Sequence, residues 1–263
     1  YYKFRKIIMK QKVCLITGGA GFLGRKYCEF FSKKNFKVLC IDNNNKNLKK
    51  INKLNLKNLI TFDCDITNHD KVEKLYKSIS KSFFVDVLIN NAAIDAIPFK
   101  KKDIAQKFPT SEMWDREFDA SLKGSFFMIK FFGEEMIRKK KGSIINIGSD
   151  LSVIAPNQKI YKSSYASYIK PVTYAVIKHG MVGLTKYFSS LYGQKNVRVN
   201  MVSPGPVKNK QNTKLLSEIE NMTPMERLGD PKDILGLLFF LANDDSSYIT
   251  GQNILVDGGK TII

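Results

Sequence analysis

The chain has 263 residues, of which 43% are hydrophobic and 11% aromatic, a composition that excludes a disordered protein and suffices for one substantial core. No stretch approaches the roughly 20 apolar residues that a membrane helix needs, and the N-terminus lacks the long apolar region of a secretory signal. The net charge of +19 comes from lysines dispersed along the chain. We therefore predict a solvated basic surface that attracts anionic ligands, rather than a nucleic-acid-binding protein.

Four cysteines, Cys14, Cys28, Cys40 and Cys64, lie in the first quarter of the chain. They form no Cys-x-x-C pair and have no histidine cluster beside them, so we predict free thiols rather than a disulfide framework or a metal site. Free thiols fit a reducing compartment, and we expect a cytoplasmic location.

Apolar segments that resemble strands occur, in chain order, at residues 12–17, 37–42, 59–63, 85–90, 143–148, 197–202 and 253–256. Segments that resemble helices lie between them, near residues 22–34, 69–81, 112–139, 173–192 and 231–243. Strands that are apolar nearly throughout and alternate with helices predict a single α/β domain with a doubly wound parallel sheet. The connections 149–172 and 203–222 are unusually long, so we interpret them as functional loops.

The first predicted strand leads into TGGAGFLG at residues 17–24, which opens the first predicted helix. Gly18, Gly21 and Gly24 give the spacing G-x-x-G-x-x-G. Without side chains there, the backbone turns tightly and its N–H groups approach a pyrophosphate at the positive end of the helix. A strand, a glycine loop and a helix in this order are the context that dinucleotide binding requires.

The second predicted strand ends at Asp42. A carboxylate there accepts hydrogen bonds from the adenosine ribose and repels a 2′-phosphate. The next residue, Asn43, is not a cation, so NAD is favoured over NADP, although Arg25 offers an alternative phosphate partner. Asp65 and Asn91 follow the third and fourth strands, at the edge where ligands bind in such sheets.

Tyr174 and Lys178 lie at the start of a predicted helix, four residues apart and therefore on one face. A nearby cation favours phenolate over phenol, which makes a tyrosine usable for proton transfer near neutral pH. Ser149 ends the fifth predicted strand, where its hydroxyl would hold a substrate oxygen beside Tyr174. Ser152 is a competing candidate for that role.

The order of these motifs resembles the short-chain dehydrogenase/reductase family over nearly the whole chain. The matching segments are TGGAGFLG, Asp42, CDIT at 64–67, NNAA at 90–93, the Ser149, Tyr174 and Lys178 set, NMVSPGPV at 200–207 and YITGQNILVDGG at 248–259. The resemblance implies a Rossmann-type sheet, a nicotinamide cofactor, a small-molecule substrate, and a homodimer or homotetramer built on the helices at 112–139 and 173–192. It also implies an N-terminal extension at residues 1–10 before one catalytic domain at 11–263.

The resemblance implies that Tyr174 exchanges the substrate proton, that Lys178 lowers the pKa of Tyr174 and holds the nicotinamide ribose, and that Ser149 positions the carbonyl. The cofactor-binding set that it implies is Gly18, Gly21, Phe22, Leu23, Gly24, Asp42, Asp65, Ile66, Asn91, Ala92, Ala93, Tyr174, Lys178, Pro204, Gly205 and Val207.

Three departures from the family pattern stand out. The glycine spacing is typical of the family's larger branch, which modifies sugar nucleotides. Ser121 occupies the position of a catalytic Asn that supports proton relay, and we interpret its hydroxyl as a substitute. Ser149 and Tyr174 are 25 positions apart, about twice the usual separation, so the additional residues must lie beside the active site.

The additional residues are the clue to the substrate. Aromatic faces for a sugar ring would come from Tyr161, Tyr165 and Tyr168, and cations for phosphate or carboxylate from Lys159, Lys162 and Lys170. SDLSVIAPNQKIY at 149–161 and KPVTYAVIKHG at 170–180 also resemble oxidoreductases of bacterial surface-sugar and flagellin-glycan biosynthesis, including the legionaminic-acid type. We therefore expect a phosphorylated, nucleotide-linked or acidic sugar as substrate. The alternatives are a 3-oxoacyl carrier-protein reductase and a non-catalytic NAD-binding scaffold.

Overall fold

A computed structural model describes residues 11–94, 108–165, 169–209 and 211–263, with the side chains of residues 163–165 left out. The predicted extension, residues 1–10, lies outside the described residues. Seven parallel strands form one sheet in the order β3-β2-β1-β4-β5-β6-β7. The strands are β1 Val13–Thr17, β2 Lys37–Asp42, β3 Leu59–Asp63, β4 Val87–Asn90, β5 Gly142–Ile147, β6 Val197–Pro204 and β7 Asn253–Val256. The prediction of a single-domain, doubly wound Rossmann-type sheet is confirmed.

The helices occupy the connections between these strands. They are α1 Phe22–Lys33, α2 Asn45–Asn52, α3 His69–Ile79, α4 Ser111–Phe118, α5 Gly124–Met128, α6 Glu134–Lys139, α7 Gln158–Tyr165, α8 Val172–Tyr192, α9 Thr213–Asn221 and α10 Pro231–Leu241. Two π-helical segments, Asp119–Lys123 and Ile129–Gly133, join α4, α5 and α6 into one helical run. Among the described residues, no helix is both long and apolar enough to cross a membrane.

Neighbouring residues of each strand face opposite sides of the sheet, and both sides are covered. Leu15 and Leu88 belong to one apolar cluster, which α3, the α4–α6 run and α8 cover. Ile16 and Ile89 belong to a second cluster, which α1, α2 and α10 cover. Residues buried on both faces explain why the strands are apolar nearly throughout.

The order of the strands positions the binding site. β1 pairs with β2 on one side and with β4 on the other, because the chain runs outward from β1 to β3 and then crosses back to β4. In doubly wound sheets, this reversal opens a crevice beyond the carboxyl ends of the strands. The loops after β1, β2, β4, β5 and β6 therefore meet at one edge.

The interpretation of residues 149–172 and 203–222 as loops is wrong in part, because α7 and α9 lie within them. The two helices contact each other through a small apolar cluster that includes Ile160, Leu215 and Ile219. Each helix has only two to three turns, so the apolar periodicity was too short to reveal it. α2 was missed for the same reason, although Asn44 caps it through a hydrogen bond from the Asn47 N–H.

Candidate active site

A cleft of about 810 Å³ lies at the carboxyl edge of the sheet. Every residue of the predicted cofactor-binding set lines this cleft except Gly24. Of the predicted catalytic residues, Ser149, Tyr174 and Lys178 line the cleft and Ser121 does not. The structure thus brings together residues that are up to 189 positions apart, from Gly18 to Val207.

The glycine loop fits a pyrophosphate because side chains are excluded from it. Gly18 has φ +59°, and a Cβ there would lie 2.9 Å from the Cα of Ala92. A Cβ on Gly24 would collide with the carbonyl oxygen of Gly18, so Gly24 permits the close packing of α1 on the loop instead of lining the cleft. Gly21 precedes α1 without a side-chain cap, which leaves N–H groups at the helix N-terminus available to an anion.

The loop after β4 is attached to the glycine loop by a set of short hydrogen bonds. The Thr17 hydroxyl accepts from the N–H groups of Asn91 and Ala92, at 3.0 and 3.1 Å. The Asn91 side-chain amide donates to the carbonyl oxygens of Thr17 and Gly18, at 3.0 and 3.1 Å. The polar groups of Asn91 therefore hold the loops after β1 and β4 together.

Asp42 lies in the cleft at the end of β2. One carboxylate oxygen accepts from the N–H of Ala20 at 3.0 Å and the other from the N–H of Asn44 at 2.9 Å. Each oxygen retains a further lone pair for a ribose hydroxyl. Arg25 does not line the cleft and pairs with Glu29 on its own helix, at 3.6 Å. The neighbours of Asp42 in the lining are Asn43, Asn44 and Asn47, which carry no charge.

Tyr174 and Lys178 both lie on the face of α8 that lines the cleft. The Lys178 ammonium is 5.6 Å from the centroid of the Tyr174 ring and donates a hydrogen bond to the carbonyl oxygen of Ile147 at 3.1 Å. Lys178 is buried, which strengthens its electrostatic effect on neighbouring groups. A phenol and a buried ammonium in a cleft can transfer a proton to or from a substrate oxygen.

A second lysine lies even closer to the tyrosine ring. The Lys170 ammonium is 3.9 Å from the Tyr174 ring centroid, and Lys170 lines the cleft with only 5% of its surface exposed. The backbone of Lys170 is held by the side chain of Gln158, which accepts from its N–H at 2.8 Å and donates to its carbonyl oxygen at 3.1 Å. The sequence indicated Lys170 only as a substrate contact, because its position on the tyrosine ring depends on the fold of residues 158–171.

An ion pair adjoins Ser149 that sequence analysis did not identify. The Ser149 hydroxyl donates to one carboxylate oxygen of Asp150 at 2.7 Å, and Lys260 pairs with the other oxygen at 2.6 Å. Both charged side chains are buried and both line the cleft. Asp150 and Lys260 are 110 residues apart, so no local sequence pattern could indicate the pair.

The other predicted residues have different surroundings. Ser121 is buried in the π-helical segment beside Ala120, which does line the cleft. Ser152 exchanges hydrogen bonds with Ser203 and Asn253, at 3.1 and 2.9 Å, and lies outside the lining. These contacts join the β5–α7 connection to β6 and β7, so Ser152 has a structural role.

The segment that was predicted to contact the substrate only partly adjoins the cleft. Tyr161 lines it, whereas Lys159 and Lys162 are exposed on α7. The side chain of Tyr165 and the whole of Tyr168 lie outside the described residues.

All four cysteines are free and buried. Burial raises the pKa of the Cys14 and Cys28 thiols well above the usual value, and raises the pKa of Cys64 to about 11. Cys64 lines the cleft. Because reactivity belongs to the thiolate, burial disfavours the reactive form of Cys14, Cys28 and Cys64.

Away from the cleft, His69, Asp70 and Glu73 each offer a potential ligand atom within 4.8 Å of the others. Lysine ammonium groups already adjoin two of them, with Lys130 at 3.3 Å from His69 and Lys77 at 2.6 Å from Glu73. Positive charge beside the donor atoms opposes the binding of a metal ion there.

Comparison with known proteins identifies the family of the chain. The profile described as enoyl-(acyl carrier protein) reductase matches residues 19–261. A 3-oxoacyl-(acyl-carrier-protein) reductase of Buchnera aphidicola subsp. Baizongia pistaciae is 34% identical, over 95% of this chain and 97% of the relative. An NAD-dependent glycerol dehydrogenase of Listeria innocua is 30% identical, over 95% of this chain and 94% of the relative.

A solved structure points to the same family as these relatives. A short-chain dehydrogenase of Leptospira borgpetersenii with bound NAD+ superposes with a TM-score of 0.83 at 28% identity, over 99% of this chain and 100% of the other. The profile match extends from the glycine loop to the segment after β7. The chain therefore belongs to the short-chain dehydrogenase/reductase family of NAD(P)-dependent oxidoreductases.

Proposed function

We propose that this protein is an NAD-dependent oxidoreductase that interconverts an alcohol and a carbonyl on a polar, anionic substrate, with Tyr174 as the group that exchanges the proton. The observation that carries the proposal is the pair of buried lysine ammonium groups at 3.9 and 5.6 Å from the Tyr174 ring, in the cleft that also holds Asp42 and the glycine loop.

The choice of NAD over NADP depends on Asp42. A 2′-phosphate at the adenosine ribose would meet this carboxylate and the uncharged Asn43, Asn44 and Asn47, without a cation from the neighbouring lining. The ribose hydroxyls of NAD would instead donate to the lone pairs that the backbone N–H groups leave free on Asp42. NAD-linked relatives from Listeria and Leptospira support the same choice.

Each residue of the cleft has its own role in the proposed reaction. Bound NAD supplies the acceptor or donor of the hydride. Tyr174 takes the proton from the substrate hydroxyl in oxidation and returns it to the carbonyl oxygen in reduction, while Lys178 favours the phenolate and holds the nicotinamide ribose. Ser149 turns from Asp150 to donate to the substrate oxygen, and Ser121 supports proton relay.

We infer an anionic, hydroxylated substrate from the charges in the cleft. Lys260 and Asp150 neutralise each other in the lining, which leaves the cations Arg116, Lys170 and Lys178. The remaining lining carboxylates, Asp42 and Asp65, lie at the adenosine end. A phosphorylated, nucleotide-linked or acidic sugar fits this charge, with Tyr161 as a flat face for the ring. The resemblance of residues 149–161 and 170–180 to surface-sugar oxidoreductases, seen in the sequence alone, favours the same class.

A 3-oxoacyl carrier-protein reductase is the second candidate, and the 34% identical relative from Buchnera favours it. The net charge of +19 would suit an acidic carrier protein. The two candidates differ in whether the carbonyl belongs to a thioester-linked chain or to a sugar.

The proposal includes the assembly and location of the enzyme. Large apolar side chains are exposed on the α5 and α8 surfaces, namely Phe126, Val176, Tyr187 and Leu191. We propose that a second copy covers them in a homodimer or homotetramer. Four free thiols support a reducing compartment, so we place the enzyme in the cytoplasm.

The experiment is a panel of sugar nucleotides, sugar phosphates, acyl thioesters and simple ketones, each assayed with NAD(H) and NADP(H) by nicotinamide absorbance. We expect turnover of an anionic sugar with NAD(H). Turnover of thioesters would favour the carrier-protein reductase, and preference for hydrophobic ketones would contradict the anionic sugar. Tight NAD binding with no turnover of any substrate would indicate a non-catalytic scaffold.

A further inference from the structure

The chain places two lysines on the proposed proton-transfer residue. Lys178 follows Tyr174 by one helical turn on α8, whereas Lys170 precedes α8 and approaches the tyrosine ring itself. The Lys170 ammonium is the nearer of the two to the ring centroid, at 3.9 Å compared with 5.6 Å. Lys170 is as buried as Lys178, so water screens neither charge effectively.

The long segment between Ser149 and Tyr174 builds the position of Lys170. Gln158, the first residue of α7, binds both the N–H and the carbonyl oxygen of Lys170. α7 is in turn fixed to α9 by the apolar contacts around Ile160. Pro171 then starts α8 with φ −60°, which sets the direction in which the chain enters the helix.

We propose that Lys170 is a positioning residue that stabilises the phenolate of Tyr174 from the face of its ring, in addition to Lys178. This inference rests on the proposed function, since it concerns the acid–base role of Tyr174. A cation over an aromatic ring is attracted by the ring quadrupole, and more strongly once the phenol loses its proton and the ring carries negative charge. The long segment between Ser149 and Tyr174 thereby contributes to catalysis through its effect on Tyr174.

Other charged and titratable groups face the same cleft from each surrounding element. They are Lys178 on α8, Arg116 on α4, Tyr161 on α7, Asp150 and Lys260 beside Ser149, and Asp42, Cys64 and Asp65 after β2 and β3. Asp150 is compensated by Lys260 at 2.6 Å, and the Cys64 thiol stays protonated at neutral pH because its pKa is raised to about 11. Asp42 and Asp65 accept hydrogen bonds from the chain around the adenosine end. These groups all stay in place when Lys170 is replaced. The substitution therefore changes only the charge next to the Tyr174 ring.

The direct test titrates Tyr174 without any substrate. The ultraviolet absorbance of tyrosinate is followed with pH, and the curve of the corresponding Tyr174→Phe protein is subtracted to isolate Tyr174. We expect Lys170→Met to raise the apparent pKa of Tyr174 by about one pH unit, and Lys170→Arg to restore most of the original value. Lys162→Met, an exposed lysine on the same segment, is the matched control and should change nothing.

A second, milder substitution provides a test in case Lys170→Met does not fold. Gln158→Ala removes both hydrogen bonds to the Lys170 backbone while keeping the cation, and we expect a smaller rise in the same pKa. Circular dichroism checks that each variant folds. An unchanged pKa of Tyr174 in folded Lys170→Met and Gln158→Ala proteins would overturn the proposal.

Kinetics separate this role from simple substrate binding. If Lys170 acts through Tyr174, Lys170→Met displaces the pH profile of kcat towards higher pH, in parallel with the titration. A rise in KM alone, with an unmoved pH profile, would assign Lys170 to the substrate anion and contradict the proposal. Absence of any NAD-linked turnover in the unaltered enzyme would contradict the proposed function, whereas the titration would still decide the role of Lys170.

Discussion

The two ends of the cleft are built by different means. The end proposed for the cofactor consists of backbone turns fixed by adjacent residues, with Gly18 and Gly24 excluding side chains and Asn91 joining the loops after β1 and β4. The end proposed for the substrate consists of charged side chains from separate segments, with Lys170 held by Gln158 and Asp150 paired with Lys260. The first end is specified by short motifs, and the second only by the folded arrangement of the chain.

We expect the largest loss of activity from a substitution of Tyr174, which lies where the two ends meet. Tyr174→Phe removes the proton-transferring hydroxyl, and kcat/KM should fall by about 10³-fold, a typical contribution of general acid–base catalysis. The affinity for NAD, measured by calorimetry, should stay within about twofold, because Lys178 and the glycine loop remain. Parallel losses of affinity and turnover would show that Tyr174 supports the cofactor rather than the chemistry.

The buried ion pair at the substrate end should matter for stability. Lys260→Met leaves the Asp150 carboxylate buried without its cation, which we expect to lower the free energy of unfolding by about 3 kcal/mol in urea titrations. Lys77→Met is the matched control, because Lys77 and Glu73 are also 2.6 Å apart but lie at the surface. Its unfolding midpoint should hardly change, since water already screens that pair. Equal losses of unfolding free energy in Lys260→Met and Lys77→Met would contradict the claim that burial makes the Asp150–Lys260 pair important for stability.

The contrast between the two ends also explains how far the sequence could be interpreted. The strands, the long helices and the glycine loop followed from local patterns, such as the glycines at 18, 21 and 24 after an apolar strand. Most of the other predicted cofactor-binding residues were implied by the resemblance to the family. Lys260 could not be associated with Asp150, because their approach depends on the complete sheet and the turn after β7. The ring contact of Lys170 depends on α7, a helix too short to show its periodicity.

The selectivity of the cofactor end should depend on one carboxylate. Asp42→Ser removes the negative charge at the ribose, and we expect the ratio of NAD to NADP affinities to fall by about tenfold, the value of one hydrogen bond to a charged group. Fluorescence titration with both reduced cofactors measures the ratio. Arg25→Gln serves as the control, since Arg25 pairs with Glu29 outside the cleft lining. A larger change in the control would mean that Arg25, not Asp42, determines the choice.

The smallest effect should come from Ser121. Its side chain is buried behind Ala120 rather than in the cleft, so we expect Ser121→Ala to leave KM unchanged and to lower kcat only slightly. Steady-state kinetics in ordinary and deuterated water tests this. A severe loss of kcat with an altered solvent isotope effect would instead assign the main proton relay to Ser121.

The central claim is that one cleft holds NAD with its nicotinamide beside the Tyr174 hydroxyl. A crystal structure of the NAD complex tests it most directly. We expect the pyrophosphate at the N-terminus of α1, the adenosine ribose on Asp42, and the nicotinamide ribose within hydrogen-bond distance of Lys178. A nicotinamide ring remote from Tyr174, or an adenosine ribose that makes no contact with Asp42, would contradict the account.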